Sequence, residues 1–246
     1  MKYSIFILLF LFTFPVFVTA NNIIDADGDG VSDADEINIY KTDPNLADSD
    51  SDGYSDWLEL NNGFSPLTKE NLKLEDVDTD KDGLSDRMEL KFGTDLKNPD
   101  TDGDGYKDGE EIKFYFDPLN KEAVKLPKRL EVSLGGQMVY YFLDGVRMGS
   151  FKISSGKASM PTPKGHFKII NKAKKVWSDY GLWMPYWMGM GTGKFGFHEL
   201  PIWPNGYREG ENHLGIPVSH GCVRLGVGSA KFLYDWAEVS TPVFIY

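Results

Sequence analysis

The chain has 246 residues, of which 41% are hydrophobic, with 37 acidic against 26 basic side chains. This hydrophobic content is sufficient for a packed core and excludes a chain that is disordered throughout. A single cysteine excludes an internal disulfide framework and any metal or redox site of the CxxC type. Residues 21–122 hold 29 acidic and 10 basic side chains, whereas residues 123–246 hold 8 and 15, so we expect two domains with different roles.

The N-terminal segment has the pattern of a secretory signal peptide. Lys2 precedes an apolar run from Ile5 to Val18, and small residues ending at Ala20 suit a cleavage site. The run is short for a membrane span and contains Pro15. We predict a cleaved signal peptide at residues 1–20, with an uncleaved anchor as the alternative. The mature protein is then exported, to the periplasm or to the cell wall and outer surface, and it retains no transmembrane span.

The following segment contains an internal repeat with the pattern D-x-D-x-D-G-x-x-D-x-x-E. Its copies begin at Asp25, Asp48, Asp78 and Asp100 and contain no mismatch. A hard cation such as calcium takes about six to eight oxygen ligands. Carboxylates at positions 1, 3 and 5, a carbonyl at position 7 and a glutamate at position 12 supply them, and glycine at position 6 permits a sharp turn. The alternative, an acidic solubilising surface, predicts neither a fixed phase nor a recurring glycine.

The predicted calcium ligands are the five carboxylate residues of each copy. They are Asp25, Asp27, Asp29, Asp33, Glu36, Asp48, Asp50, Asp52, Asp56, Glu59, Asp78, Asp80, Asp82, Asp86, Glu89, Asp100, Asp102, Asp104, Asp108 and Glu111. Only residues 21–24 precede the first loop in the mature chain, which is too short for the entering helix of an EF-hand.

Residues 25–118 instead resemble bacterial thrombospondin type 3 repeats. The shared features include the intervening sequences Lys41-Thr42-Asp43-Pro44 and Gly93-Thr94-Asp95. The resemblance implies a loop-rich array in which structural calcium ions replace much of the hydrophobic core. We therefore expect the folding of this array to be coupled to metal binding.

A predicted linker at residues 120–128 separates the acidic domain, residues 21–119, from a β-rich domain, residues 129–246. Runs rich in β-branched and aromatic residues predict strands in the second domain. These runs are residues 129–134, 137–143, 146–153, 166–170, 195–200 and 242–246. Ser229 is expected to cap a short helix that extends to Val239. The fold class is therefore mainly β.

The reactive residues are concentrated in Ser219-His220-Gly221-Cys222-Val223-Arg224. Cys222 lies two residues from an imidazole and two from a guanidinium, and both neighbours are expected to lower the thiol pKa. A further histidine, His198, lies in a strand-like run. Cysteine catalysis needs a thiol, an imidazole base and backbone donors for the oxyanion. These residues alone favour a catalytic thiol and leave an inert buried cysteine as the alternative.

His198 together with residues 217–225 closely resembles the catalytic signature of the peptidoglycan L,D-transpeptidases. Residues 137–145 and 155–165 agree with that family, so the resemblance spans about 129–246. It implies a β-rich sandwich with a short helix, in which Cys222 is the nucleophile and His198 the general base and later the acid. The other implied site residues shape the site, supply oxyanion amides or meet a substrate carboxylate; they are Ser219, His220, Gly221 and Arg224. The implied chemistry uses no metal and no organic cofactor.

By that resemblance, the thiolate attacks the third residue of a tetrapeptide stem and releases the terminal D-alanine. The thioester then passes to an amine, which gives a 3→3 cross-link or attachment to a protein. With water as the acceptor the enzyme is an L,D-carboxypeptidase, and a non-catalytic, calcium-dependent wall-binding or adhesion protein is the alternative outside enzymes. The expected partners are peptidoglycan stem peptides and, through calcium, an anionic surface polymer. No nucleic-acid motif occurs.

The sequence departs from the usual family pattern next to the base. Glu199 follows His198 where a small residue is common, and residues 200–212 lengthen the spacing to the cysteine. These departures leave the acceptor amine open. His166 is interpreted as structural and His213 as solvated, and the glycine-interrupted aromatic stretch after Val176 favours a flap over a groove rather than a core helix.

Overall fold

The computed structural model describes residues 23–246, so the predicted signal peptide, residues 1–20, lies outside the described residues. No helix within residues 23–246 is long and apolar enough to cross a membrane. The chain divides into two compact units, the first ending at Thr79 and the second beginning at Asp80. The fourth acidic loop, most of the third and the whole β-rich region belong to the second unit. The predicted linker, residues 120–128, therefore lies within a compact unit.

Each acidic loop leads into a short helix that begins at the ninth residue of the repeat. The helices are α1 (Asp33–Asp35, followed by a π-helix at Glu36–Tyr40), α2 (Asp56–Asn62), α3 (Asp86–Phe92) and α4 (Asp108–Phe114). Ser32 and Ser55 cap the first two helices with hydrogen bonds to backbone N–H groups three residues ahead. Within residues 23–246, no helix ends immediately before an acidic loop. These loops therefore lack the entering helix of an EF-hand.

The four loops form two similar pairs. The first pair is followed by an isolated antiparallel bridge between Phe64 and Lys73, and the second by the corresponding bridge between Phe116 and Lys125. Within the first pair, Asp29 of one loop accepts a hydrogen bond from the Trp57 N–H of the next at 2.9 Å. The two loops of a pair are thus joined through a carboxylate at the fifth position of the repeat.

The second unit is built around eight strands and a helix. They are β1 (Lys128–Ser133), β2 (Met138–Leu143), β3 (Val146–Ser154), β4 (Gly165–Trp177), β5 (Trp183–Met190), β6 (Phe195–Glu199), β7 (Val223–Leu225), α5 (Ser229–Trp236) and β8 (Pro242–Ile245). The strands close in the order β1-β2-β3-β7-β6-β5-β4-β8. Strands β3 and β4 each take part in both of the two sheets, and this sharing closes the sheets into a barrel. The predicted mainly β fold with two sheets is therefore confirmed.

The barrel core comes from the alternating inward side of the strands and from one face of α5. On β1, Leu130 and Val132 are fully buried, as strand periodicity requires. On α5, Ala230, Leu233 and Trp236 are buried against the strands. This helix contacts β5, β6 and β7, so it supports the two strands that carry the motif residues.

The predicted strands and helix are present, and the structure differs from the prediction in some of their bounds and in two further strands. The strand predicted at residues 166–170 continues to Trp177, and α5 ends at Trp236 rather than Val239. The prediction that Ser229 caps α5 is wrong, because Ser229 is the first helical residue, Gly228 holds the cap position and no side chain caps the helix. Strands β5 and β7 were not predicted. The aromatic stretch after Val176 forms the end of the β4–β5 hairpin, in agreement with the interpretation that disfavoured a core helix.

Candidate active site and metal loops

The predicted active-site residues meet in one pocket of about 590 Å³ in the second unit. His198, Ser219, His220, Cys222 and Arg224 all line it. The parallel register of β6 and β7 pairs His198 with Arg224, and Cys222 immediately precedes β7. Residues that are 24 positions apart in the sequence are thereby brought to one site.

A tight turn holds the cysteine. The Ser219 hydroxyl donates to the carbonyl of Cys222 at 2.6 Å and accepts from the Gly221 N–H at 3.1 Å. Gly221 has a φ of 111°, which disfavours any residue with a side chain. Thr162 Oγ1 donates to the Gly221 carbonyl at 2.9 Å. Because the Gly221 N–H is bonded to Ser219, it is not available for the oxyanion role that the resemblance implied.

His198 is buried, with 3% of its surface exposed. Its Nδ1 lies 2.6 Å from the carbonyl oxygen of Glu199, which only accepts, so Nδ1 carries the proton and Nε2 presents a lone pair. Burial lowers the pKa of His198 to about 4, the Glu199 hydrogen bond opposes this shift, and the charge of Arg224 adds to it. The imidazole is therefore neutral at pH 7 and is suited to accept a proton.

The environment of Cys222 differs from the sequence expectation. Burial raises the pKa of the Cys222 thiol, although a backbone hydrogen bond with Gly196 and the charge of Arg224 act in the opposite direction. Arg224 acts in the expected direction, but burial outweighs it, so the expectation of a low thiol pKa is wrong for the resting site. The resting pocket is thus lined by a thiol and a neutral imidazole, and the thiol needs a base to become a nucleophile.

The lengthened segment between β6 and β7 is fixed by two ion pairs. Arg224 Nη1 lies 2.6 Å from a carboxylate oxygen of Glu209, and both side chains are largely buried. Arg208 pairs with Glu199, the residue that departs from the usual family pattern. Glu209 was not identified from the sequence, where the only signal was the length of the segment.

The end of the β4–β5 hairpin forms one side of the pocket. Its turn, residues 178–182, is closed by a hydrogen bond from the Ser178 N–H to the Leu182 carbonyl at 2.9 Å. The ring of Tyr180 stacks on His220, with centroids 4.2 Å apart. Trp187 stacks on His198 at 6.2 Å. The aromatic residues thus line the site, as the flap interpretation expects.

The two remaining histidines lie outside this arrangement. His166 is exposed, stacks on Phe244 of β8 at 4.5 Å and does not line the pocket. His213 is half-buried, with its Nδ1 3.8 Å from the Glu209 carboxylate. It is therefore less solvated than the sequence suggested.

The acidic loops gather carboxylates as the repeat predicts. The residues at positions 1, 3 and 5 lie with one carboxylate oxygen each within 4.8 Å of the others in the first, second and fourth loops. These residues are Asp25, Asp27 and Asp29; Asp48, Asp50 and Asp52; and Asp100, Asp102 and Asp104. Asp80 and Asp82 hold the equivalent positions of the third loop, which begins at Asp78 at the end of the first unit.

The glutamate at position 12 completes the arrangement. Glu59 and Glu89 are buried, and neither carboxylate oxygen of either residue has a hydrogen-bond partner. Burial, reinforced by neighbouring aspartates, raises the pKa of each to about 8, and that of Glu36 and of Glu111 to about 7. Buried unpartnered carboxylates are costly. All-oxygen clusters of this kind fit a hard divalent cation such as calcium.

The aspartate at position 9 has a different environment. Asp56 accepts hydrogen bonds from both the N–H and the hydroxyl of Ser49, at 2.8 and 2.7 Å. Asp108 accepts the same two bonds from Thr101, at 2.9 and 2.6 Å. Both oxygens of the Asp56 and Asp108 carboxylates are engaged, so these two position-9 residues close their loops and are not gathered with the residues at positions 1, 3 and 5.

Comparison with known families agrees with this organisation. Residues 127–245 match the family model of the YkuD-type L,D-transpeptidase catalytic domain. Residues 25–47, 78–95 and 100–113 match that of the bacterial TSP3 repeat. The chain therefore carries an L,D-transpeptidase catalytic domain of the YkuD family, preceded by bacterial thrombospondin type 3 repeats.

Individual relatives match over the catalytic region. A Bacillus subtilis protein named YkuD, described as a candidate L,D-transpeptidase, is 28% identical over 103 residues, which are 41% of this chain and 54% of that protein. The Bacillus licheniformis YkuD is 26% identical over 100 residues, with the same coverage. The chain thus spans about half the length of the curated relatives it matches.

Solved structures give similar matches. An L,D-transpeptidase from Stackebrandtia nassauensis is 29% identical, with a TM-score of 0.41, and the match covers 50% of this chain and 57% of that one. An L,D-transpeptidase from Mycobacterium smegmatis is 22% identical, with a TM-score of 0.43, and the match covers 51% of this chain and 64% of that one.

Proposed function

We propose that the protein is an exported peptidoglycan L,D-transpeptidase that forms a thioester through Cys222. The observation that carries the proposal is the presence, in one pocket, of Cys222 and a buried neutral His198 whose Nδ1 is hydrogen-bonded to a backbone carbonyl. This arrangement leaves Nε2 as the base of the site. An inert buried cysteine would need neither a base of fixed tautomer nor a pocket beside it.

The first half-reaction forms the acyl-enzyme. The proton of the Cys222 thiol passes to Nε2 of His198, and the sulfur attacks the carbonyl carbon of the third residue of a tetrapeptide stem. The C–N bond to the terminal D-alanine breaks, and the imidazolium of His198 returns the proton to the leaving amine. A thioester and free D-alanine result, and His198 is neutral again.

The second half-reaction regenerates the thiol. An acceptor amine attacks the thioester carbonyl while His198 takes one of its protons. The C–S bond breaks, and the imidazolium protonates the departing Cys222 thiolate. The new amide is a 3→3 cross-link when the amine belongs to a neighbouring stem, and an attachment to a protein when it belongs to a lysine. Ser219 supports both steps by holding the Cys222 turn.

The test is to incubate the protein with a tetrapeptide stem and an acceptor amine and to follow D-alanine release by mass spectrometry. We expect release from the wild type, loss of at least 10³-fold with Cys222→Ala, and a thioester adduct on Cys222 when the acceptor is omitted. The ratio of amide product to free tripeptide separates a transpeptidase from a carboxypeptidase. D-alanine release that is unchanged in Cys222→Ala would overturn the mechanism, and no release from the wild type would favour a wall-binding role.

We further propose that the acidic loops bind structural calcium through positions 1, 3, 5, 7 and 12, outside the cytoplasm. The orphaned Glu59 and Glu89 carboxylates support this assignment, because a bound cation would relieve their burial among other carboxylates. Extracellular calcium modules bind in the range of about 0.1–1 mM. The calcium-loaded array is proposed to space the enzyme from the surface or to dock it on an anionic polymer. Fractionation of the source cells tests the location, and calorimetric titration tests the binding.

A further inference from the structure

The second pair of acidic loops shares a hydrophobic cluster with the barrel. Leu84 of the third loop, Ile112 of α4, and Leu126 are buried together with Leu143 of β2. Met88 and Phe92 of α3 and Met148 of β3 pack against this cluster. The fourth loop and the third loop from Asp80 onward belong to the same compact unit as the proposed active site, whereas the first two loops belong to the other unit.

Tyr115 extends this contact to α5. Its ring meets Trp236, at the C-terminal end of α5, edge to face with centroids 6.4 Å apart. Lys128 of β1 lies 3.5 Å from the centroid of the Tyr115 ring and donates to the Trp236 carbonyl at 3.0 Å. Trp236 packs in turn against Tyr141 of β2 at 5.4 Å.

The backbone of Tyr115 lies in the left-handed region that favours glycine. Tyr115 ends α4 with a φ of 69°, and Gly63 ends the equivalent helix α2 with a φ of 79°. The left-handed region is strained for a residue with a side chain, whereas glycine adopts it readily. At this position Tyr115 supplies a ring that contacts Trp236 and Lys128, which a glycine could not do.

The proposed metal ligands adjoin the contact residues directly. Glu89 follows Met88 on α3, and Glu111 precedes Ile112 on α4. The two loops are also joined, because Asp82 accepts a hydrogen bond from the Gly109 N–H at 2.6 Å. A cation that fixes these carboxylates therefore fixes the helices whose apolar side chains cover β2 and β3.

We propose that calcium in the third and fourth loops stabilises the catalytic barrel itself, and that calcium in the first two loops does not. The inference rests on the proposed calcium binding, and it assigns the metal a role in the stability of the catalytic unit beyond spacing or docking. The barrel then unfolds more readily where calcium is scarce, which restricts the folded enzyme to calcium-containing compartments.

Hydrogen exchange followed by mass spectrometry on the full-length protein tests the proposal. Peptides from α3 and α4 report calcium binding, and peptides from β1–β3 and α5 report the barrel. At a free calcium concentration of about 100 times Kd, each coupled site should lower the open population of the barrel about 100-fold relative to EDTA. Glu111→Gln should reduce the calcium-dependent protection of the barrel peptides by at least one factor of about 100. Glu59→Gln, the matched change in the second loop, should leave them unchanged.

A second variant separates the contact from the binding. Tyr115→Gly introduces the residue type that ends the equivalent helix at Gly63 and removes the ring contacts. The loops should still bind calcium, whereas calcium should have a smaller effect on the protection of the barrel peptides from exchange. Phe114→Ala removes a neighbouring aromatic side chain that is 60% exposed, and it serves as the control. Protection of α3 and α4 without protection of the barrel would overturn this inference and leave calcium binding intact. No calcium effect on any peptide would overturn both proposals, and D-alanine release tests the proposed enzyme separately.

Discussion

Arg224 and Glu209 form a largely buried ion pair beside the proposed nucleophile, with Nη1 and Oε2 2.6 Å apart. Arg224 is also the register partner of His198 across β6 and β7. The Arg224 guanidinium thus contacts Glu209 in the segment between these strands. The position of Arg224 on β7 places it opposite His198, the proposed base. The ion pair therefore connects the lengthened segment, residues 200–212, to Arg224 of the motif.

Replacement of Glu209 tests this relationship. Glu209→Gln leaves the buried Arg224 cation without its counter-charge, and we expect a loss of about 1–3 kcal/mol in the free energy of unfolding. The uncompensated cation should also lower the pKa of the Cys222 thiol, because Arg224 favours the thiolate. Urea unfolding and the pH profile of Cys222 alkylation measure the two effects. Glu238→Gln is the control, since that side chain is exposed and its partner is Lys128. An alkylation profile equal to that of the wild type would contradict the electrostatic part.

The buried His198 predicts a specific loss of stability in acid. Its pKa is about 4 in the folded protein against 6.5 for an ordinary histidine, so the unfolded chain binds the proton more strongly. No effect is expected above pH 6.5. As the pH falls from 6.5 to 4, the folded state should lose about 3 kcal/mol relative to the unfolded state.

The comparison of the wild type with His198→Gln isolates this effect, because the titration of all other groups is common to both proteins. The difference between their free energies of unfolding should change by about 3 kcal/mol between pH 7 and pH 4, with the wild type losing more. A difference that stays constant with pH would show that His198 titrates normally.

Strand periodicity and motif chemistry were sufficient to predict most of the barrel and the main site residues. The alternation around Leu130 and Val132 and the turn residues between β1, β2 and β3 carry that information locally. Strand β5 was missed because Pro185 and Gly189 interrupt it and because most of its residues face a buried environment, which removes the alternation. Strand β7 has only three residues and coincides with the motif.

The missed site features depend on tertiary contacts. Glu209 is 15 residues from Arg224 in the sequence, and nothing local indicates the pairing. The raised pKa of Cys222 follows from burial by the surrounding strands, whereas the sequence showed only the neighbouring basic groups. Likewise, the repeat did not indicate that its ninth residue would bond to the second, as Asp56 does to Ser49.

A glycine close to the cysteine turn gives a further prediction. A methyl group on Gly156 would lie 2.6 Å from the Thr162 nitrogen and would also clash with the Met160 carbonyl. Because Thr162 donates to the Gly221 carbonyl, this clash is expected to displace the turn that holds the nucleophile. Gly156→Ala should cost about 1–3 kcal/mol of stability and lower the rate of D-alanine release.

Gly135→Ala is the matched control for that variant, because no atom lies within 4 Å of the added methyl group. Thermal unfolding and the D-alanine assay should both distinguish the two variants. Equal activity of the two proteins would mean that the Thr162 contact does not position the cysteine turn.

The last prediction separates calcium ligands from loop-closing residues within the fourth loop. Asp102 holds position 3, with one buried oxygen lacking a partner, whereas both oxygens of Asp108 at position 9 accept bonds from Thr101. Asp102→Asn should remove a ligand charge and abolish binding at one site in a calorimetric titration. Asp108→Asn should keep the stoichiometry and weaken the affinity by only about tenfold, since the loss of hydrogen-bond strength is on the order of 1 kcal/mol. Loss of the site in both variants would make the ninth residue a direct ligand, and retention in both would exclude position 3.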